Sequence, residues 1–331
     1  MKDDVTSSLQ LADVHRAVMD ASALADHAHA ALALVVETEG STYVRSGAMA
    51  LFDGRGGQAG WLSGGCLEPE IEVRALAAAR AGRLDWMDVD TRDDEDLLSG
   101  SALGCRGRLQ LALLPLAALP GWDAAVQAWR SFDVQLILQP AGADRIALEF
   151  GPMRWELPCM PPPDALQCGV ALLFKAPPQL VLFGAGPETP HLLPLLRDAG
   201  WMTTLVERRP RWSPSPERPL PADAWQALTP LAAAALPALA AADAALVMNH
   251  NFELDRETLE ALAATDIPFI GLLGPHRRRE DLFRVLPATA STALGKRLRS
   301  PVGLDLGGRG AQAIALSIAA QLQAWHHGRA A

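Results

Sequence analysis

Leu180-Val181-Leu182-Phe183-Gly184-Ala185-Gly186-Pro187-Glu188-Thr189 is the stretch on which the fold turns. A short apolar run that ends in two closely spaced glycines and then enters a helical pattern is a strand, a tight turn and a helix start. The first glycine allows the turn, the second lets backbone approach a phosphate, and the helix N-terminus offers N–H donors. Glu207 ends the next strand 21 positions after Gly186, near the roughly 20 expected of an acid that binds a ribose hydroxyl. Thr189 stands where a third glycine or alanine is usual, and Pro187 removes one N–H. Two readings stay open for this turn: a dinucleotide site, or glycines that serve only to turn the chain.

Outward from that joint the pattern alternates between strand and helix. Leu180 to Phe183, a helix to Ala199, Thr203 to Val206, an Ala-rich helix, Ala245 to Met248, a helix from Arg256, Phe269 to Leu272 and a final helix from Gln312 follow in order. That alternation predicts a Rossmann-like, doubly wound parallel sheet. Upstream, Leu9 to Ala31 carries a helical pattern and Leu32 to Val36 a strand. Asp53-Gly54-Arg55-Gly56-Gly57 reads as a hairpin turn between Ala48–Phe52 and Gly60–Leu62, and Ile71 to Ala81 as a helix. Arg108 to Leu114 alternates as a strand, and Val134–Leu138 with Ile146–Phe150 reads as a second hairpin. Six prolines between Leu157 and Pro178 predict little regular structure there. The expected organisation is therefore α/β throughout: an N-terminal α/β domain over 1–115, a strand pair and Pro-rich connection over 116–177, and the doubly wound domain over 178–331.

The 331 residues suffice for about two domains. Lys+Arg 29 against Asp+Glu 38 leaves a formal charge of −9, the wrong sign for neutralising nucleic-acid phosphates or an anionic membrane face. Pro237 and Asp243 break the longest apolar tract, Leu231 to Met248, so no membrane span is expected. The polar start Met1-Lys2-Asp3-Asp4 is unlike a signal peptide, and the expected location is the cytoplasm. Cys66, Cys105, Cys159 and Cys168 are too few for a disulfide framework and read as free thiols.

Two of those thiols lie among glycines. In Ser63-Gly64-Gly65-Cys66-Leu67-Glu68 the glycines free the backbone to wrap a ligand, and the cysteine precedes a helix, where N–H donors favour a thiolate. A thiolate is a soft ligand for a metal or a sulfur-bearing cofactor. Leu103-Gly104-Cys105-Arg106-Gly107 repeats the theme, whereas Cys159 and Cys168 have no His at metal-binding spacing. In the second domain His250 follows a strand at the carboxyl edge, where doubly wound sheets bind ligands, and Asp255 reads as a helix N-cap. Arg208-Arg209 and His276-Arg277-Arg278-Arg279 could hold an anion.

Taken together, these blocks resemble the xanthine dehydrogenase accessory family (XdhC/CoxI). The resemblance runs colinearly through Gly40-Ser41-Thr42-Tyr43-Val44-Arg45-Ser46-Gly47-Ala48-Met49, Ser63-Gly64-Gly65-Cys66-Leu67-Glu68, Leu103-Gly104-Cys105 and Phe183-Gly184-Ala185-Gly186. It continues in Val206-Glu207-Arg208-Arg209-Pro210, Val247-Met248-Asn249-His250, Gly271-Leu272-Leu273-Gly274 and Ser300-Pro301-Val302-Gly303-Leu304-Asp305-Leu306-Gly307. It implies a non-catalytic chaperone that binds molybdenum cofactor (molybdopterin), protects it, assists its sulfuration and passes it to a molybdenum hydroxylase of the xanthine dehydrogenase type. The implied partners are that apo-enzyme, a cysteine desulfurase-type sulfur donor and further copies of the chain. By the resemblance Cys66 touches the cofactor and is the candidate molybdenum contact. Gly64, Gly65, Arg45, Cys105, Gly184, Gly186, Glu207, Arg208 and His250 are the other cofactor-binding candidates. The chain departs from the family pattern at Arg106, Thr189, Glu207, Asn249, the 310–315 helix start and Gln321. The rival reading is an NAD(P)-dependent oxidoreductase, motivated by Gly184, Gly186 and Glu207. It has no acid or base constellation beyond His250. A third reading, a protein-docking factor whose Rossmann-like domain binds nothing, stays open on Pro187 and the missing carboxylates.

Overall fold

Strand β1 (Ala31–Gly40) is buried on both faces over its first six residues, which explains its unbroken apolar sequence. Ala31, Ala33 and Val35 enter one core while Leu32, Leu34 and Val36 enter another. The computed structural model describes residues 18–24, 27–91, 107–161, 168–215 and 219–328. It divides into two units, Met1–Pro177 and Pro178–Ala331.

In the first unit β1 lies at the centre of an antiparallel sheet. Its members are β2 (Met49–Phe52), β3 (Gln58–Ala59), β4 (Asp85–Asp90) and β5 (Gly107–Pro115), in the order β3-β2-β1-β5-β4. Helix α1 (Glu68–Ala81) covers one face, laying Ile71, Ala75, Ala78 and Ala79 on Ala31, Ala33 and Val35. The opposite face packs on helix α2 (Trp122–Ser131) and on the strands β6 (Val134–Pro140), β7 (Arg145–Phe150), β8 (Met153–Pro158) and β9 (Val170–Phe174). Those four form a second antiparallel sheet, β8-β7-β6-β9. Residues from Leu116 to Cys159, and Phe174, are thus built into the same core as Leu32 and Leu34. Trp122 stacks on Phe150 at 5.3 Å between ring centroids, and Phe174 meets Phe150 edge-on at 5.5 Å.

Two expectations for this unit are corrected. Residues 18–23 are helical, but the helix does not reach Ala31, which already belongs to β1; the part over 9–17 lies outside the described residues. An apolar run alone does not distinguish the end of a buried helix from the start of a buried strand. The proline segment also holds a regular strand, β9, in its proline-free stretch.

The second unit is a six-stranded parallel sheet. Strands β10 (Gln179–Phe183), β11 (Met202–Val206), β12 (Ala224–Gln226), β13 (Ala244–Val247), β14 (Phe269–Leu272) and β15 (Leu298–Arg299) stand in the order β12-β11-β10-β13-β14-β15. Counted within the unit this is 3-2-1-4-5-6, the Rossmann order, whose direction reverses between β10 and β13. Alternate residues again feed two cores. Leu180, Leu182 and Leu246 meet helices α3 (Thr189–Asp198) and α9 (Ala311–His326), while Val181, Phe183, Ala245 and Val247 meet the helices on the other face. Those helices are α4 (Pro230–Ala234), α5 (Pro237–Ala240), α6 (Phe252–Ala263), α7 (His276–Val285) and α8 (Ala288–Leu294). The single Ala-rich helix expected before β13 is replaced by β12 and two short helices, because Pro237 cannot continue α4.

Trp122 is fully buried in the core that the two sheets of the first unit share. Trp122→Ala is expected to cost about 3–5 kcal/mol, read as a lower midpoint in denaturant-induced unfolding.

Candidate functional site

Pairing register places three connections at one edge of the first unit. Gly40, the end of β1, lies opposite Gly107, the start of β5; β2 starts at Met49 opposite Leu34, and β4 ends at Asp90 opposite Arg108. Strand β3 runs antiparallel to β2 and so leads out at this same edge. Loops 41–48 and 60–67 therefore emerge together, bringing Arg45, Gly64, Gly65 and Cys66 to one end of the sheet. Cys105 lies outside the described residues; β5 starts two residues later, at Gly107 on that edge.

The 60–67 loop is held from within. Glu68, the first residue of α1, is buried and turns back to accept from the N–H groups of Leu62 (3.0 Å) and Ser63 (2.7 Å) and from the Ser63 hydroxyl. Ser63 Oγ in turn accepts from the N–H groups of Gly65 (3.2 Å) and Leu67 (3.1 Å) and receives the Cys66 thiol at 3.6 Å. One buried carboxylate and one hydroxyl thus order a turn in which Gly65 takes φ +99°. Cys66 is left exposed just ahead of a helix start, and a side chain built on Gly64 would meet only open space. Arg45 is exposed, 3.4 Å from the Gly40 carbonyl. Among the described residues no group of three or more His, Cys, Asp or Glu is placed to hold a metal ion.

In the second unit Gly184, Gly186, Glu207 and His250 do converge, at the point where the strand order reverses. A Cβ on Gly184 would lie 2.5 Å from Asn249 Cα, so the turn is pressed directly onto the end of β13. Glu207 accepts from the Ala185 N–H (2.9 Å), the Arg209 N–H (2.7 Å) and the Arg209 guanidinium, whose Nη2 stands 2.6 Å from Oε2. Burial pushes the Glu207 carboxyl up, but the Arg209 side chain and the two N–H groups outweigh it and hold the carboxyl below its ordinary value. Arg209 also donates to the Asn249 and Ala185 carbonyls, at 2.6 and 3.1 Å. Arg209 is therefore engaged, whereas Arg208 is exposed. His250, at φ +52°, meets the buried Glu188 carboxylate through Nε2 at 3.0 Å.

Further residues at this edge are also internally paired. Asp255 is not the N-cap of α6; Asn251 is, through its side chain to the Leu254 N–H. Asp255 is buried and binds Asn249 and Arg278, so the basic start of α7 has its central guanidinium committed. Gln321 supplies a carbonyl to the Gly303 N–H at 2.8 Å. Sequence reasoning missed Glu68, Glu188 and Arg209 as organisers. The visible signals were an acid at a helix start five residues after Ser63 and an arginine two residues after Glu207.

Comparison with known proteins finds a match within each unit. A family model described as the XdhC and CoxI family matches residues 23–89, and one described as the XdhC Rossmann domain matches 180–322. A protein from Bacillus subtilis (strain 168), named as a probable subunit of xanthine dehydrogenase, is 27% identical over 319 residues, spanning 90% of this chain and 94% of that protein. A crystal structure described as a xanthine dehydrogenase from Bacillus halodurans superposes with a TM-score of 0.70 over 96% of each chain, at 24% identity, which speaks for a shared fold.

Two outcomes follow from the buried carboxylates. Glu68→Ala is expected to cost about 1–3 kcal/mol, the penalty for stranding buried donors, with faster amide exchange at Leu62 and Ser63 as its local signature. Because the Glu207 pKa is depressed on folding, its contribution is complete above the unfolded value of about 4.3 and is lost as pH falls through the lower folded value. Thermal midpoints of the wild type should thus drop more steeply below pH 4 than those of Glu207→Gln.

Proposed function

The chain belongs to the XdhC and CoxI family of xanthine dehydrogenase accessory proteins, and on that premise we propose that its cargo is the molybdenum cofactor, bound at the Cys66 loop. The observation that carries this reading is an exposed thiol on a loop fixed by the buried Glu68–Ser63 pair, with open space over Gly64. Such a loop keeps its sulfur in place without spending binding energy on ordering.

The chemistry of these residues fits the cargo. Sulfur is a soft ligand suited to a molybdenum–sulfur centre. The Arg45 guanidinium, exposed at the same sheet edge, suits the pterin's phosphate, which it can engage through two parallel N–H donors. In this reading the protein shields the cofactor, keeps it available to a cysteine desulfurase-type donor for sulfuration and yields it to an apo molybdenum hydroxylase. No covalent chemistry is asked of its own side chains.

The test is to purify the protein from a host that makes the cofactor, oxidise it and measure pterin fluorescence per chain. Wild type should carry pterin, and Cys66→Ala should carry at least about tenfold less, equivalent to 1.4 kcal/mol of binding. Its thermal midpoint should stay unchanged, since the thiol is exposed. Absence of pterin from the wild type sinks the proposal.

A further inference from the structure

We infer that the Gly184–Thr189 turn is closed to the dinucleotide that its glycines and its sheet order suggest, and that Glu188, Glu207 and Arg209 make it a structural joint of the second unit. A Rossmann site needs free N–H donors, a free acid, empty space over the second glycine and a crevice for the adenosine. The turn meets none of these requirements in full.

The donors are committed. Ala185 N–H goes to Glu207, Gly186 N–H to Thr189 Oγ1 at 3.0 Å, and Thr189 N–H to the Gly186 carbonyl at 3.2 Å. Pro187 and Pro190 have no N–H, and His191 and Leu192 both donate to the Glu188 carbonyl. Glu188, whose N–H is the one remaining in the turn, brings a buried carboxylate of its own.

The acid is committed too. Both Glu207 oxygens accept from Arg209, and one also accepts from Ala185, so a ribose diol would have to displace an ion pair with only 2% of the Glu207 side chain exposed. The second glycine of the fingerprint lacks a side chain so that a pyrophosphate can come close. Here that space is filled. A Cβ on Gly186 would collide with His250 Nε2 and lie 3.0 Å from Glu188 Oε2. A diphosphate would therefore meet a carboxylate of its own sign in a buried position, where repulsion is least screened.

The crevice beside the turn is small as well. The cavity bordered by Phe183, Val206, Glu207, Arg208 and Asn249 measures about 10 Å³. That volume holds about one water molecule, against roughly 300 Å³ for a small-ligand site. The two glycines serve close packing instead: Gly184 on the Asn249 backbone and Gly186 on the His250–Glu188 pair.

This inference stands independently of the cofactor proposal for the first unit. Its test uses the full chain. NADH is titrated to 1 mM while energy transfer from tryptophan and the reduced nicotinamide emission are followed, and ADP-ribose is titrated by calorimetry. No saturable signal is expected from either ligand, and neither should raise the thermal midpoint. In parallel, Arg209→Ala should lower the midpoint by several degrees, because Arg209 joins the ends of β10, β11 and β13. Saturable binding of NADH or ADP-ribose below 100 µM overturns the closed turn, and an unchanged midpoint in Arg209→Ala overturns the structural joint.

Discussion

Where a sheet ends, backbone N–H groups lose their ladder partners while still shielded from water, and each must find an acceptor or cost free energy. Both units meet this constraint with a buried glutamate. Glu68 gathers the N–H groups of Leu62 and Ser63, and Glu207 gathers those of Ala185 and Arg209. The consequences differ because the surroundings differ. Among the described residues Glu68 has no guanidinium as a hydrogen-bond partner, and it organises a loop that leaves a thiol outside. Glu207 has Arg209 across it, and the pair draws the ends of three strands together.

Sheets buried on both faces set the rest of the architecture. In β1 the alanines face α1 and the leucines face the second sheet, so small residues admit a close helix where large ones fill a wider gap between sheets. Strand β10 divides its side chains between two helical layers in the same way. Loops 41–48, 60–67 and 184–189 lie at the edges of these two doubly covered sheets.

Much of the second unit was legible because its signals are local. Strand, glycine turn and helix occur within a dozen residues, and the recurrence of that pattern forces parallel pairing. In the first unit the distribution of prolines hid β9, and Met153–Pro158 alternates as a strand in plain view but sits against a proline-rich boundary. The Cys66 loop was recognisable from its glycines and its thiol. Its support was less so: an acid at a helix start five residues after Ser63 is visible, but only the fold turns that carboxylate back onto the Leu62 and Ser63 N–H groups.

By itself the sequence determined the fold class, the family and the loops that reach the sheet edges, because periodicity, turn chemistry and colinear motifs are encoded in neighbouring residues. Only the tertiary structure decided whether those loops are open. Gly184, Gly186 and Glu207 satisfy a dinucleotide pattern by spacing, yet the space and the hydrogen-bonding capacity they would offer are taken by Glu188, Arg209, Asn249 and His250. A motif lists the groups that could bind a ligand. Whether they are free depends on contacts such as Arg209 to Asn249 and His250 to Glu188, which span 40 and 62 positions and come into being only when the sheet assembles.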